Sequence, residues 1–154
     1  MIRKIAAVTL AAGVMLGTAG CNMITHVASN DVYAPSDGAQ TTAGDVKARN
    51  FLLLEDGTKT LLIGSLVNSG IDAAAVSLNY IDGGASKVAQ VNLNASQKFD
   101  LGYNGTAALP VATELKPGAV YQVSITVSGK TAQMSVPVLD GTLPEYKAIL
   151  DAAK

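Results

Sequence analysis

The side chains that could do chemistry in this sequence are few, and most of them lie near the N-terminus. Cys21 is the only cysteine and His26 is the only histidine. After residue 20, methionine occurs only at Met23 and Met134. A cysteine thiol can act as a nucleophile, accept an acyl group or bind a metal, and methionine and histidine are ligands for copper. These residues raise three possibilities: covalent attachment, metal binding and catalysis.

Residues 1–20 have the pattern of a secretory signal that ends at a lipidation site. Arg3 and Lys4 form a basic start, and residues 5–17 form an uncharged apolar run. A membrane-spanning helix needs roughly 20 apolar residues, so this run is short for one. Residues 18–21 (TAGC) resemble the bacterial lipobox, with Thr in place of the usual Leu. We predict a cleaved signal peptide and diacylglycerol and fatty acyl groups on Cys21. The alternative is an uncleaved N-terminal helix.

Acylation of Cys21 predicts a location on the outer face of the cell membrane. Two or three acyl chains hold a protein on a bilayer, whereas one chain binds it marginally. Cleavage would remove Arg3 and Lys4, which lowers the 11 basic residues to 9 against 12 acidic ones and gives a net charge of −3. Neither sign of charge forms a run, so nucleic acid is not an expected partner. We expect contact with the membrane through the lipid and with an integral membrane protein complex.

The remaining residues do not predict an active site. A catalytic histidine must be held by packing and a carboxylate, and a flexible segment does not supply this for His26. A zinc site needs three or four ligands, which the sequence lacks. Met23 and His26 are candidates for copper, but two ligands in a tether make a weak site, and Met134 is predicted to be a core residue. We expect no catalysis, no metal and no cofactor apart from the acyl groups.

The spacing of apolar residues predicts the elements that follow the lipidation site. Residues 21–44 are poor in bulky apolar side chains and are predicted to be a flexible tether. Residues 45–140 contain short β-like runs separated by turn residues, with no long helical period. This favours an all-β domain, namely an immunoglobulin-like antiparallel sandwich of about 7–8 strands. The predicted strands are residues 46–54, 59–67, 74–81, 87–93, 98–103, 107–112, 119–127 and 131–138.

Residues 141–154 are predicted to form a short helical tail. Thr142 and Glu145 have the spacing of a capping box, and Pro144 lies in the first turn. A helix this short is marginal alone, so it must pack against something. Its apolar residues are Leu143, Tyr146 and Leu150, which either pack on the sandwich or dock onto a partner. The sequence leaves both alternatives open.

Three stretches resemble, in order, the LpqE-type lipoproteins of actinobacteria. They are residues 33–38 (YAPSDG), 44–54 (GDVKARNFLLL) and 64–70 (GSLVNSG). Those proteins are distantly similar in fold to copper chaperones of the PCuAC type, whose Met- and His-rich motif is not matched here. The resemblance implies an accessory role outside the membrane, including association with the cytochrome bcc–aa3 respiratory supercomplex. The alternative function is delivery of a metal or small ligand, with copper as the first candidate.

Overall fold

The computed structural model describes Tyr33, residues 35–112 and residues 115–153. The predicted signal peptide and the candidate residues Cys21, Met23 and His26 lie outside these ranges. No helix within the described ranges is long and apolar enough to cross a membrane. The elements in these ranges are β1 (Ala39–Ala43), β2 (Val46–Glu55), β3 (Thr60–Asn68), β4 (Ala74–Asp82), β5 (Ala85–Leu93), β6 (Lys98–Leu101), β7 (Leu109–Val111), β8 (Val120–Val127), β9 (Lys130–Asp140) and α1 (Pro144–Ala152).

The strands form two sheets that meet at β9. Sheet A contains β1, β2, β3, β6 and β7, and sheet B contains β5, β4, β8 and β9 in that order. The first part of β9 pairs antiparallel with β8, and residues 138–140 pair parallel with residues 53–55 of β2. The strand order is therefore β5-β4-β8-β9-β2-β3-β6, with β1 beside β2 and β7 beside β3. This architecture confirms the predicted all-β sandwich.

The main core lies between the sheets. Alternate residues of β8 and β9 point into it, as the period of two predicts, and Ile125 and Val136 are completely buried. Phe51 covers Gly64 on the neighbouring strand, where an added Cβ would lie 2.5 Å from the ring. A second, smaller core lies on the other face of sheet A, and α1 covers it. Its buried members are Leu52, Leu54, Leu61, Ile63, Tyr146 and Leu150.

The eight predicted strands are all present, and a ninth was missed. Strand β1 (Ala39–Ala43) lies within residues 21–44, which were predicted to be a flexible tether. Its sequence, AQTTA, contains no bulky apolar residue, so no periodic signal marks it. It forms because the long strand β2 offers a partner along residues 46–51. The sandwich therefore begins before residue 45, and the predicted tether boundary at residue 44 is wrong.

The predicted helical tail is confirmed, but its cap differs from the prediction. Leu143 is the N-cap residue and makes no side-chain cap hydrogen bond. The Thr142 backbone N–H donates instead to Asp140 Oδ1 at 3.1 Å. The turn after β9 therefore occupies Thr142, and the helix begins at Pro144, whose fixed φ suits a first helical turn.

Candidate binding groove

Helix α1 packs on the outer face of sheet A. Tyr146 and Leu150 are four residues apart, so they lie on one face of the helix, and they are 7% and 3% exposed in the smaller core. Ile149 and Ala153 are partly buried against the same residues. Of the three predicted docking residues, Tyr146 and Leu150 therefore contact their own sandwich, whereas Leu143 is 45% exposed. Of the two alternatives predicted for the tail, these two buried side chains follow the first, which is packing on the sandwich.

The loop between β6 and β7, residues 102–108, lies opposite one flank of α1. Gly102 has a φ of +79°, and a Cβ at this position would overlap the side chain of Ile63 on β3. Only glycine combines that conformation with so close an approach. Tyr103 and Ala108 of the loop pack against the smaller core. The loop is thus held against β3 and forms a wall facing the helix.

An open groove of about 930 Å³ lies between α1 and this loop. Leu61 and Ile149 contribute buried and half-buried apolar side chains, and the exposed lining includes Ala148 and Ala152 of α1 and Ala107 of the loop. The lining is mostly apolar. Its volume lies within the roughly 300–1,000 Å³ that is usual for ligand sites in proteins. Small side chains on both walls leave room for a bulky apolar group to enter.

Opposite charges lie at the two ends of the groove. Glu145 is in the first turn of α1, and Lys59 Nζ donates a hydrogen bond to the Ala153 carbonyl oxygen after the last turn. Both charges suit the helix dipole, which favours an anion at the N-terminus and a cation at the C-terminus. Because a helix rises about 1.5 Å per residue, these ends are roughly 12 Å apart. The groove therefore has a polarity that an occupant must match.

Hydrogen bonds connect the start of the domain to the back of the groove. The Tyr146 hydroxyl donates to Asp37 Oδ2 at 2.6 Å, and the Gly38 N–H donates to Asn50 Oδ1 at 3.0 Å. Asn50 Nδ2 donates in turn to the Tyr103 hydroxyl at 3.3 Å. Asn50 has a φ of +51° and lies where the register of β2 against β3 shifts. The irregularity turns Asn50 out of the ladder and lets it join residues 37–38 to the groove wall.

The two tyrosines of this network remain protonated at neutral pH. Burial raises the pKa of Tyr146, and the hydrogen bond to Asp37 and the charge of that carboxylate raise it further. Burial also raises the pKa of Tyr103, with additional contributions from the charges of Asp100 and Asp37. Both phenols therefore act as neutral hydrogen-bonding groups that fix the helix and the loop.

The part of the chain that the structure describes contains no group of three or more His, Cys, Asp or Glu side chains placed to hold a metal ion. Met134 is 4% exposed in the main core, as predicted. Met23 and His26 lie outside the described residues, and so does Cys21. Acylation of Cys21 and copper binding by Met23 and His26 therefore stay predictions.

The groove was not predicted from the sequence. Its lining residues come from β3, from the loop after β6 and from the flank of α1 that the apolar face does not use. The spacing of Ala148 and Ala152, four residues apart on that flank, is the one local signal that could have indicated it. The position of the loop opposite this flank depends on tertiary packing.

Comparisons with known proteins identify solved structures with a similar fold. No protein-family model matches this sequence, and a search of curated proteins finds no match. Among solved structures, the copper-bound PCuAC domain from PmoF2 matches with a TM-score of 0.50 and 12% identity, over 66% of this chain and 97% of that domain. The apo PmoF2 PCuAC domain matches with a TM-score of 0.50 and 12% identity, over 68% and 97%. The fold is PCuAC-like. The apo PCuAC domain from PmoF1 has 19% identity and a TM-score of 0.47, over 64% and 97%.

Proposed function

We propose that this chain is an extracytoplasmic lipoprotein, anchored through acyl groups on Cys21, that serves as a non-catalytic accessory subunit of an integral membrane protein complex. The open, mostly apolar groove beside α1 carries the proposal, since exposed apolar concavities mark sites of interaction. The resemblance of residues 33–70 to LpqE-type lipoproteins supports the cytochrome bcc–aa3 supercomplex as the candidate partner.

The groove suits a short apolar helix of the partner lying antiparallel to α1. Ala148 and Ala152 on the helix wall let two backbones approach closely. An antiparallel helix would place its N-terminus beside Lys59 and its C-terminus beside Glu145. Helices favour acidic residues in the first turn and basic residues in the last, so these charges complement the two ends of the groove.

The chain length between Cys21 and the groove permits a partner at the membrane surface. Asp37 is bonded to the first turn of α1 through Tyr146. Cys21 and Asp37 are separated by about 16 peptide steps, which span at most about 55 Å when fully extended. Acyl groups on Cys21 would therefore hold the groove within that distance of the bilayer.

The test is affinity purification of the tagged full-length chain from mildly solubilised membranes, followed by mass spectrometry. Ala148→Glu and Ala152→Glu each place a charge in the groove, and both positions are exposed, so the helix tolerates them. Ala95→Glu, in the exposed turn between β5 and β6, is the matched control.

The proposal expects membrane subunits to be recovered with the wild-type chain and with Ala95→Glu, and to be reduced at least tenfold with the two groove variants. The mass of the N-terminal peptide should show loss of residues 1–20 and acylated Cys21. Recovery of the lipoprotein alone, or equal recovery with all variants, would contradict the proposal.

Copper binding is the second candidate function, and the match to the copper-bound PCuAC domain from PmoF2 favours it. That match is to a fold at 12% identity, so the ligands must come from this chain's own residues. Met23 and His26 are the candidates, since Met134 is buried. Titration of the mature chain with Cu(I) should give submicromolar binding that Met23→Leu and His26→Ala abolish. Absence of such binding would end this alternative.

A further inference from the structure

Among the residues that the structure describes, the outer face of sheet B carries no charged side chain. This face consists of the outward positions of four strands. In β4 and β9 they are the odd-numbered residues of 75–81 and 131–137, and in β5 and β8 they are the even-numbered residues of 86–92 and 120–126. These positions hold sixteen residues, mostly Ser, Thr, Asn and Gln. The charged residues of the same strands, Asp82, Lys87, Lys130 and Asp140, all occupy the alternate positions. A typical soluble surface of this size would carry about four charges.

Exposed apolar side chains lie on the same face. Ile81, Val88 and Val120 are 43%, 53% and 61% exposed, and all three occupy outward positions of β4, β5 and β8. All three lie towards one end of the face. Val88 pairs with Asn79, which is two residues before Ile81, and Val120 pairs with Pro137 at the same end. Depletion of charged residues is one feature that distinguishes the centre of a protein interface from the rest of the surface. In contrast, Lys47, Lys98 and Lys147 lie on sheet A and α1.

We propose that this charge-free face is an isologous interface at which two copies of the chain pair. Ser, Thr, Asn and Gln side chains each contain both a donor and an acceptor, whereas Lys and Arg only donate and ionised carboxylates only accept. A face built from the first group can therefore hydrogen-bond to a copy of itself. In contrast, a charged residue close to the two-fold axis would meet the same charge on the second copy.

The polar side chains of this face are already held by their neighbours. Asn79 Nδ2 donates to Thr126 Oγ1 at 3.2 Å, and Gln90 Nε2 donates to Ser77 Oγ at 2.9 Å. Gln122 Nε2 donates to Ser135 Oγ at 2.9 Å. Side chains that are ordered before association lose less conformational entropy on binding. The face is thus preorganised for a partner of matching shape.

The area of the face is sufficient for a specific but weak dimer. Four strands about 4.8 Å apart, each with four outward residues about 6.8 Å apart, cover roughly 500 Å². Two copies would then bury about 1,000 Å², which is the lower limit for a specific interface. Anchoring both copies to one membrane would raise their effective concentration and favour pairing.

The apolar residues indicate the direction of the two-fold axis. Suppose that the axis lies in the plane of the interface and runs parallel to the strands, between β4 and β8. The end of the face with Ile81, Val88 and Val120 then contacts the same end of the second copy. This axis places β4 of one copy over β8 of the other, as in packed sheets. Ser77 of β4 and Ser124 of β8 then lie close to their own counterparts.

Cysteine cross-linking tests this arrangement in membranes. Ser77→Cys or Ser124→Cys is introduced into the full-length chain, whose only other cysteine is Cys21. Membranes are treated with a short bismaleimide, and dimers are measured by denaturing electrophoresis. The wild-type chain and Ala95→Cys, in the turn outside the face, are the controls. The proposal expects dimers with both face variants at several times the control level.

Two oppositely charged substitutions then distinguish pairing of two copies from contact with another protein. In the Ser77→Cys background, Ser124→Lys or Ser124→Glu alone should lower the dimer yield several-fold, because like charges meet near the axis. Coexpression of the two variants should restore the yield. Dimers no more abundant than in the controls, cross-links to a different protein, or a loss that coexpression does not restore would overturn the proposal. Recovery of membrane subunits by the chain with an intact groove is measured in a separate experiment. The cross-linking result therefore does not decide the function proposed above.

Discussion

Replacement of Leu150 by Ala should release helix α1 and open the groove. Leu150 is 3% exposed among Leu52, Leu54 and Ile63. Truncation of a buried leucine costs about 2–5 kcal/mol, and a terminal helix can relax, which favours the lower part of that range. The nine-residue helix is marginal without its packing. We therefore expect a loss of about 2–3 kcal/mol, confined mainly to α1.

Hydrogen exchange of the α1 amides measures this loss directly. Since 1.4 kcal/mol corresponds to a factor of ten, exchange of these amides should accelerate by roughly 30–150-fold in Leu150→Ala. Amides of β8, in the main core, should change little. Lys147→Ala, on the exposed side of the same helix, should leave exchange within about twofold of the wild type. Unchanged protection of α1 in Leu150→Ala would refute the account of how the helix is held and, with it, the structural basis of the groove.

Three further predictions concern the network and the turns around the domain. Asn68→Ala should lower the free energy of unfolding by about 3 kcal/mol, because the buried side-chain amide hydrogen-bonds to three backbone groups, those of residues 70, 72 and 94. Asn94→Ala is the control and should lower it by under about 0.5 kcal/mol. Denaturant unfolding compares the two variants. Because the folded state raises the pKa of Tyr146, the stability that this residue contributes is present below about pH 10 and decreases at higher pH. Urea unfolding between pH 8 and 11 should therefore show a smaller loss in Tyr146→Phe than in the wild type, and an equal loss would contradict a raised pKa of Tyr146 in the folded state. Gly102→Ala should lower the melting temperature by several degrees, because the new Cβ is strained at positive φ and overlaps β3; an unchanged melting temperature would contradict the close packing of the loop.

The strands were predictable from the sequence because burial on one face produces a period of two. Residues 119–127 and 131–138 alternate clearly, and the structure forms β8 and β9 there. Strand β1 was not predictable, because its stability comes from pairing with β2 rather than from its own side chains. The helix was predictable from its apolar residues, but its cap was not, since Asp140 competes for Thr142.

The groove and the charge-free face could not be predicted because both depend on tertiary placement. Tyr146 and Asp37 are 109 residues apart in the chain, and no local pattern relates them. The alternation in β8 indicates which residues point inward, but the composition of the opposite face becomes visible only when the register of β4, β5 and β9 is known. The distant PCuAC-like fold, in contrast, was expected from the sequence resemblance, and two solved structures agree with it at an identity too low to indicate ligands.

Site-specific photo-cross-linking from the groove tests the central claim most directly. A photoreactive amino acid replaces Ala152 in the full-length chain, and illumination is carried out in intact membranes. The same substitution at Ala95 provides the control. The account predicts a cross-link from position 152 to an integral membrane subunit, with none from position 95, and its loss when Ala148→Glu is added. A chain that cross-links only to lipid, or to the same proteins from both positions, would contradict it.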